Sequence, residues 1–197
     1  MNLRKKECPL QSIKSAAMAR EPGTTGWTVG LFFLLFLAVY LCAFLQLELY
    51  RTASLYLEDA LAASNLASAV VDLEEYGISH KILVEDPRAS YGLYRWAVRE
   101  NLNLDEAWRG RDGGVISSQV RVVEYTVYNV TGENVEIYHF DGNGVLSQRS
   151  GVLGNVEAPN GRIIENTSVY SEIAFMLRGV LGIEVEAHKG NLADITR

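Results

Sequence analysis

From Pro22 to Leu47 the chain carries no charged residue, and the segment Trp27 to Leu45, WTVGLFFLLFLAVYLCAFL, is almost wholly apolar. In a helix that segment rises about 28 Å, close to the roughly 30 Å hydrocarbon core of a bilayer. A buried helix of a soluble protein is usually shorter and keeps a polar side, and this run has none. It therefore reads as a transmembrane helix over 27–47. Trp27 and Tyr50 stand where interfacial aromatic anchors belong, and either reads equally as a packing aromatic. A cleaved signal peptide also begins with basic residues, but its apolar region is shorter. The following QLELYRTASLY offers only a weak small-x-small pattern, so the span is expected to be retained.

Basic residues set the orientation. Residues 1–26 hold five Lys and Arg, whereas the twenty residues from Glu48 to Ala67 hold only Arg51. By the positive-inside rule the basic N-terminus is expected in the cytoplasm and everything beyond the span outside it, in the cell membrane. Positions 1–50 contain 5 of the 18 basic and 3 of the 24 acidic residues, which leaves 13 and 21 beyond them, a balance of −8. That acidity excludes a nucleic-acid binder held by phosphate contacts. The two cysteines, Cys8 and Cys42, exclude a disulfide scaffold and a cysteine-based zinc site.

No Gly or Pro interrupts Leu31 to Tyr76, and Gly77 stands where a residue just past a helix belongs. The spacing predicts that the membrane helix continues as an extension over 48–76. One stripe of that extension carries Leu55, Ala62, Leu66, Val70 and Leu73. The other side carries Tyr50, Leu57, Leu61, Ser64 and Val71, with Ala53, Ala60, Ala63 and Ala67 beside them. A helix apolar on two sides needs two partners. One is its own domain. Either the helix is simply sunk in the domain core, or its other side meets another molecule or the membrane surface. For packing against other subunits the four alanines are the candidate helix-packing interface, because small side chains let helix backbones approach closely.

The outer domain is expected over 78–197. Asp86-Pro87 supplies a cap and a first-turn proline for a helix whose stripe is Tyr91, Tyr94, Val98 and Leu102. Arg88, Arg95 and Arg99 line its neighbouring surface, which reads as a solvated face or as a dock for an acidic partner. After Gly110–Gly114 the period changes to two. QVRVVEYTVYNV, VEIYHF, VLSQRS, RIIENTSVYSEIAFML and IEVEAHK are strand candidates, with turns at Gly132-Glu133-Asn134 and Asp141-Gly142-Asn143-Gly144. The fold class is α+β: a long N-terminal helix packed on a small antiparallel sheet domain.

No nucleophile elbow, phosphate loop, dinucleotide fingerprint or HExxH motif is present. His80, His139 and His188 lie on separate elements without metal-ligand spacing. Asp141 and Asn143 resemble the start of a calcium loop that lacks its closing glutamate. Asn129-Val130-Thr131 and Asn166-Thr167-Ser168 are formal glycosylation sequons, and Glu184 and Glu186 share a solvated strand edge. The expectation is a non-enzymatic protein without cofactor, metal or evident small-molecule substrate.

The short basic N-terminus, the span Trp27–Leu45, its continuation into LYRTASLYLEDALAASNLASAVV and the closing VYSEIAFMLRGVLGIEVEAHKG together resemble the TadE-like, pseudopilin-like proteins of tight-adherence pilus systems. Pilin-like members often carry a glutamate early in the apolar segment. Gly23 to Gly30 here has none, so processing by a prepilin peptidase is not implied. The resemblance implies a minor pilin or pilus-assembly subunit that works by helix packing, with other pilus or envelope subunits, including copies of itself, as partners. The alternative is a membrane-tethered module that binds a ligand or wall component outside the membrane.

Overall fold

A computed structural model of the chain describes residues 22–111, 116, 118–179, 182 and 184–195. The basic segment 1–21 with Cys8, Gly113 and Gly114 of the glycine-rich turn, and Ile183 lie outside them. The chain divides into two compact units, one ending at Ala43 and one beginning at Phe44.

Helix α1 runs from Pro22 to Ser68 without interruption. Among the described residues it is the one helix long and apolar enough to cross a membrane. Every residue from Gly26 to Leu41 is exposed, with Trp27 at 81%. An apolar surface of this kind suits lipid rather than water.

Two short helices and five strands follow: α2 (Leu73–Ser79), α3 (Pro87–Asn101), β1 (Arg121–Thr131), β2 (Asn134–Asp141), β3 (Leu146–Val152), β4 (Ser168–Arg178) and β5 (Glu184–Asp194). The sheet is antiparallel throughout, in the order β3-β2-β1-β4-β5. The expected α+β class and the helix-on-sheet arrangement are what the structure has. Asp86 caps α3 as its sequence predicts, accepting the Arg88 N–H, with Pro87 in the first turn.

Each face of the sheet has its own cover. On one face Tyr125, Val127, Phe140, Val169 and Ile173 pack against Ala53, Leu57 and Leu61 of α1 and Tyr94 and Val98 of α3. On the other, Tyr128, Ile137 and Tyr170 meet Val156, Ala158 and Ile164 from the connection after β3. Gly151 and Gly190 are required here, because a Cβ at either would run into Val156 or Tyr170.

Two expectations need correction. The extension ends at Ser68, not Tyr76, and Gly77 lies inside α2. Val70 to Asp72 instead pair with the 83–85 segment: Asp72 N–H donates to Leu83 O, Glu85 N–H to Val70 O, and Val71 bridges Val84. Two β-branched residues followed by an aspartate that caps α2 favour that exit over more helix. The strand expected from Arg162 starts only at Ser168, because a loop closed by Ala158 N–H to Arg162 O and Ile164 N–H to Val156 O lays Ala158 and Ile164 onto the second core face. Of its two readings, Tyr50 has that of a packing aromatic: it lies against the domain core.

Candidate functional site

The four candidate alanines separate. Ala53 is fully buried and Ala60 is 7% exposed, both inside the chain's own core, so neither belongs to a free interface. The buried side of α1 repeats through Ala53, Leu57, Ala60, Leu61, Ser64 and Ser68 at helical spacing, which draws both alanines against the sheet. Ala63 sits about 100° around from Ser64 and is exposed, as is Ala67 one turn on. Leu55 and Leu66 are also exposed, at 64% and 55%. The two-sided helix thus satisfies one side within the chain and leaves part of the other open.

Polar residues decide which side is satisfied. Ser68 Oγ donates to Asn65 O at 2.8 Å and lies 2.9 Å from Tyr125 Oη. Ser90 Oγ of α3 donates to Ser68 O at 2.7 Å and lies 2.5 Å from the same tyrosine oxygen. Asn65 Nδ2 donates to Asn191 O of β5, and Asn101 Nδ2 donates to Ser64 Oγ. At the rim, Lys189 Nζ reaches Glu58 at 2.8 Å. Burial pushes the Tyr125 hydroxyl up to about 12, partly offset by its bonds to Ser68 and Ser90. Sequence reasoning missed Asn65 and Ser68. Their signal was three polar residues within five positions on an otherwise apolar side.

A second feature lies beside α3. Tyr91, Arg95, Trp108, Gln119 to Val123, Gly142, Asn143 and His188 enclose a cleft of about 620 Å³. Tyr91 and Arg95 are one turn apart on α3 and so share a face. The Arg95 guanidinium stands 5.2 Å from the Trp108 ring centroid and 5.9 Å from that of Tyr91. Tyr91 in turn stacks on Phe140 with centroids 4.6 Å apart. Partial burial raises the Tyr91 hydroxyl above its usual range, with Arg95 lowering it and Asp141 raising it.

The 104–110 loop holds Trp108 in place. Asp105 Oδ1 accepts the N–H groups of Ala107 and Arg109, and Trp108 O accepts from Val120 N–H. Trp108 has φ +62°, a left-handed conformation that a bulky side chain adopts only at a cost. Gly110 is obligatory, because a Cβ would lie 2.5 Å from Ile116 O. Arg95 was legible as a surface arginine of α3. Trp108, Gln119 and Arg121 were not, since only the loop's return onto β1 brings them to it.

The other motifs resolve as structural parts. Asn129 is buried and pairs twice with the Val84 backbone, as acceptor and as donor, so its sequon lies within the fold. Asp141 Oδ1 accepts from Asn143 N–H and Val145 N–H, which makes Asp141–Gly144 a hairpin turn. His80 ends α2 with φ +59°, His139 bonds Thr126 at 3.0 Å, and His188 lies 2.9 Å from Glu172. Glu184 pairs with Arg178 and Glu186 with Arg121. Among the described residues no three His, Cys, Asp or Glu side chains are placed to hold a metal ion. The chain matches no protein-family model, no curated protein and no solved structure.

Proposed function

We propose that this is a single-pass cell-envelope protein that acts as a minor pilin or pilus-assembly subunit through helix packing, with its N-terminus in the cytoplasm and its sheet domain outside. The observation that carries the reading is α1 itself. No non-helical residue separates the apolar segment, exposed on all sides, from the turns that form the domain's own core. A subunit that is stored in the membrane and later handed to an assembly needs such a direct join. The remaining contact surface is Ala63 and Ala67 with Leu55 and Leu66, all exposed. No catalytic role is assigned.

Shear fractionation tests the reading. The protein should appear with surface filaments sheared from cells, and Ala63→Leu with Ala67→Leu should abolish that recovery and in-cell crosslinking while leaving its abundance unchanged. Retention in the membrane fraction alone would reject assembly. Orientation has its own readout: a cysteine at Ser118 should react with an impermeant thiol reagent on intact cells, and Cys42 should not.

The cleft beside Arg95 favours a second reading, a membrane-tethered module whose outer domain binds a ligand. The two are compatible, because the cleft lies on α3 and β1 and the open helix surface on α1.

A further inference from the structure

We infer that the cleft walled by α3, the 104–110 loop and the first residues of β1 binds an acidic saccharide, a sugar chain carrying carboxylates. This gives the second reading above its ligand class and is independent of assembly.

Charge is the first argument. The outer part of the chain is acidic, with 21 acidic and 13 basic residues beyond position 50. Among the described residues the charged side chains lining the cleft are Arg95, Arg121 and His188, with no Asp or Glu, and His188 lies 2.9 Å from Glu172. Arg121 shares its charge with Glu186 at 3.0 Å. Arg95 has no ion pair among the described residues, and its cation rests only against the faces of Trp108 and Tyr91. Rings hold a guanidinium in place without neutralising it, so its donor edge is left to bind an anion. A planar carboxylate fits that fork with two parallel bonds.

Shape and chemistry select the rest of the ligand. Tyr91 is taken by Phe140 and Arg95, whereas Trp108, half-buried and lining the cleft, offers apolar ring surface beside the cation that suits the C–H face of a sugar ring. Gln119 and Asn143 add amides that can both donate to and accept from hydroxyls. A volume of about 620 Å³ is within the range of small-ligand sites.

An extended peptide finds little to pair with. β1 beside the cleft is already bonded to β4 at Arg121 and Val122, and on the other side Gln119 bridges Arg109 and Val120 N–H donates to Trp108 O. A recognition mode that adds a strand to a free sheet edge is therefore closed at Gln119 and Val120. The left-handed backbone of Trp108 is held by Asp105, whose oxygens accept from the N–H groups of Ala107, Trp108 and Arg109.

The test is isothermal titration calorimetry of the full chain in lipid nanodiscs with oligogalacturonate. Saturable binding is expected, weakened about tenfold or more by full methyl esterification of the sugar and by Arg95→Gln. Arg95→Lys keeps the charge but loses the fork, and should also bind more weakly than the wild type. Circular dichroism identifies any variant that has lost its fold, and Asn143→Ala, on an exposed turn, then replaces it with the same expectation of weaker binding. Absence of saturable binding, equal binding of the methyl ester, or wild-type affinity in Arg95→Gln overturns the assignment. Equal affinity for polyglutamate or polyphosphate also overturns it, because the cleft would then read charge alone. Filament recovery plays no part in this readout, so loss of binding and loss of assembly are told apart.

Discussion

Residues 27–41 and 53–68 belong to one helix and are both rich in Leu, yet they handle surface in opposite ways. In the first stretch every side chain is exposed and none is charged. In the second, one side is buried, and Ser64, Asn65 and Ser68 each bond to something outside their own position. The difference is the surroundings for which each is built. A stretch apolar on all sides has no preferred side and suits lipid. A stretch that meets a sheet in water must choose a side, and here the hydrogen-bonding residues at its end mark that choice.

Deleting a buried leucine from the second stretch should have the largest effect. Leu61→Ala should cost about 2–5 kcal/mol of domain stability, whereas Leu34→Ala in the first should change it by less than about 0.5 kcal/mol. Denaturation of the full chain in detergent, followed by circular dichroism, measures both. Equal losses would erase the contrast between the two stretches.

A charge should discriminate in the opposite sense. Leu35→Asp places a carboxylate near the middle of the apolar segment, where insertion is penalised by about 2.5–3.5 kcal/mol. Less protein should remain in the carbonate-washed membrane fraction. Leu55→Asp, on the exposed part of the second stretch, should leave that fraction unchanged.

Tyr125→Phe sharpens the contrast at smaller amplitude. Ser68 and Ser90 each keep a bond to a backbone carbonyl when the tyrosine hydroxyl is lost, so the cost should be about 1 kcal/mol. The same residue gives a pH signature. Its hydroxyl is raised from about 10 to about 12 in the folded state. The folded protein therefore holds this proton more tightly, and the associated stability is complete below pH 10 and lost as pH rises towards 12. Tyr125→Phe should show a shallower alkaline loss than the wild type in a pH series of denaturant midpoints.

The smallest effect on stability belongs to the exposed alanines. Ala63→Leu should be neutral for folding within about 0.5 kcal/mol, whereas Ala60→Leu should overfill the core at about 1–3 kcal/mol. If both destabilise equally, Ala63 packs inside the chain and the open surface on α1 does not exist.

Much of this was legible in residue order. The charge-free run, the cap at Asp86-Pro87 and the hairpin turns at Gly132 and Asp141–Gly144 act within a few residues, and each appears where its local chemistry places it. The exit from α1 at Ser68 did not, because Val70 to Asp72 follow partners at Leu83 to Glu85 that lie beyond an intervening helix.

What the sequence by itself determined is the apolar segment, the helix that grows from it, and the α+β class, all set by periodicity and by the cost of placing charge or unpaired backbone in lipid. The tertiary structure alone decided which alanines are buried, because Ala53 and Ala63 are the same residue on the same helix until a sheet covers one side. It alone decided the cleft as well. Arg95, Trp108 and Arg121 come from a helix, a loop and a strand, and only long-range packing brings such residues together, at an entropic cost that no local pattern records.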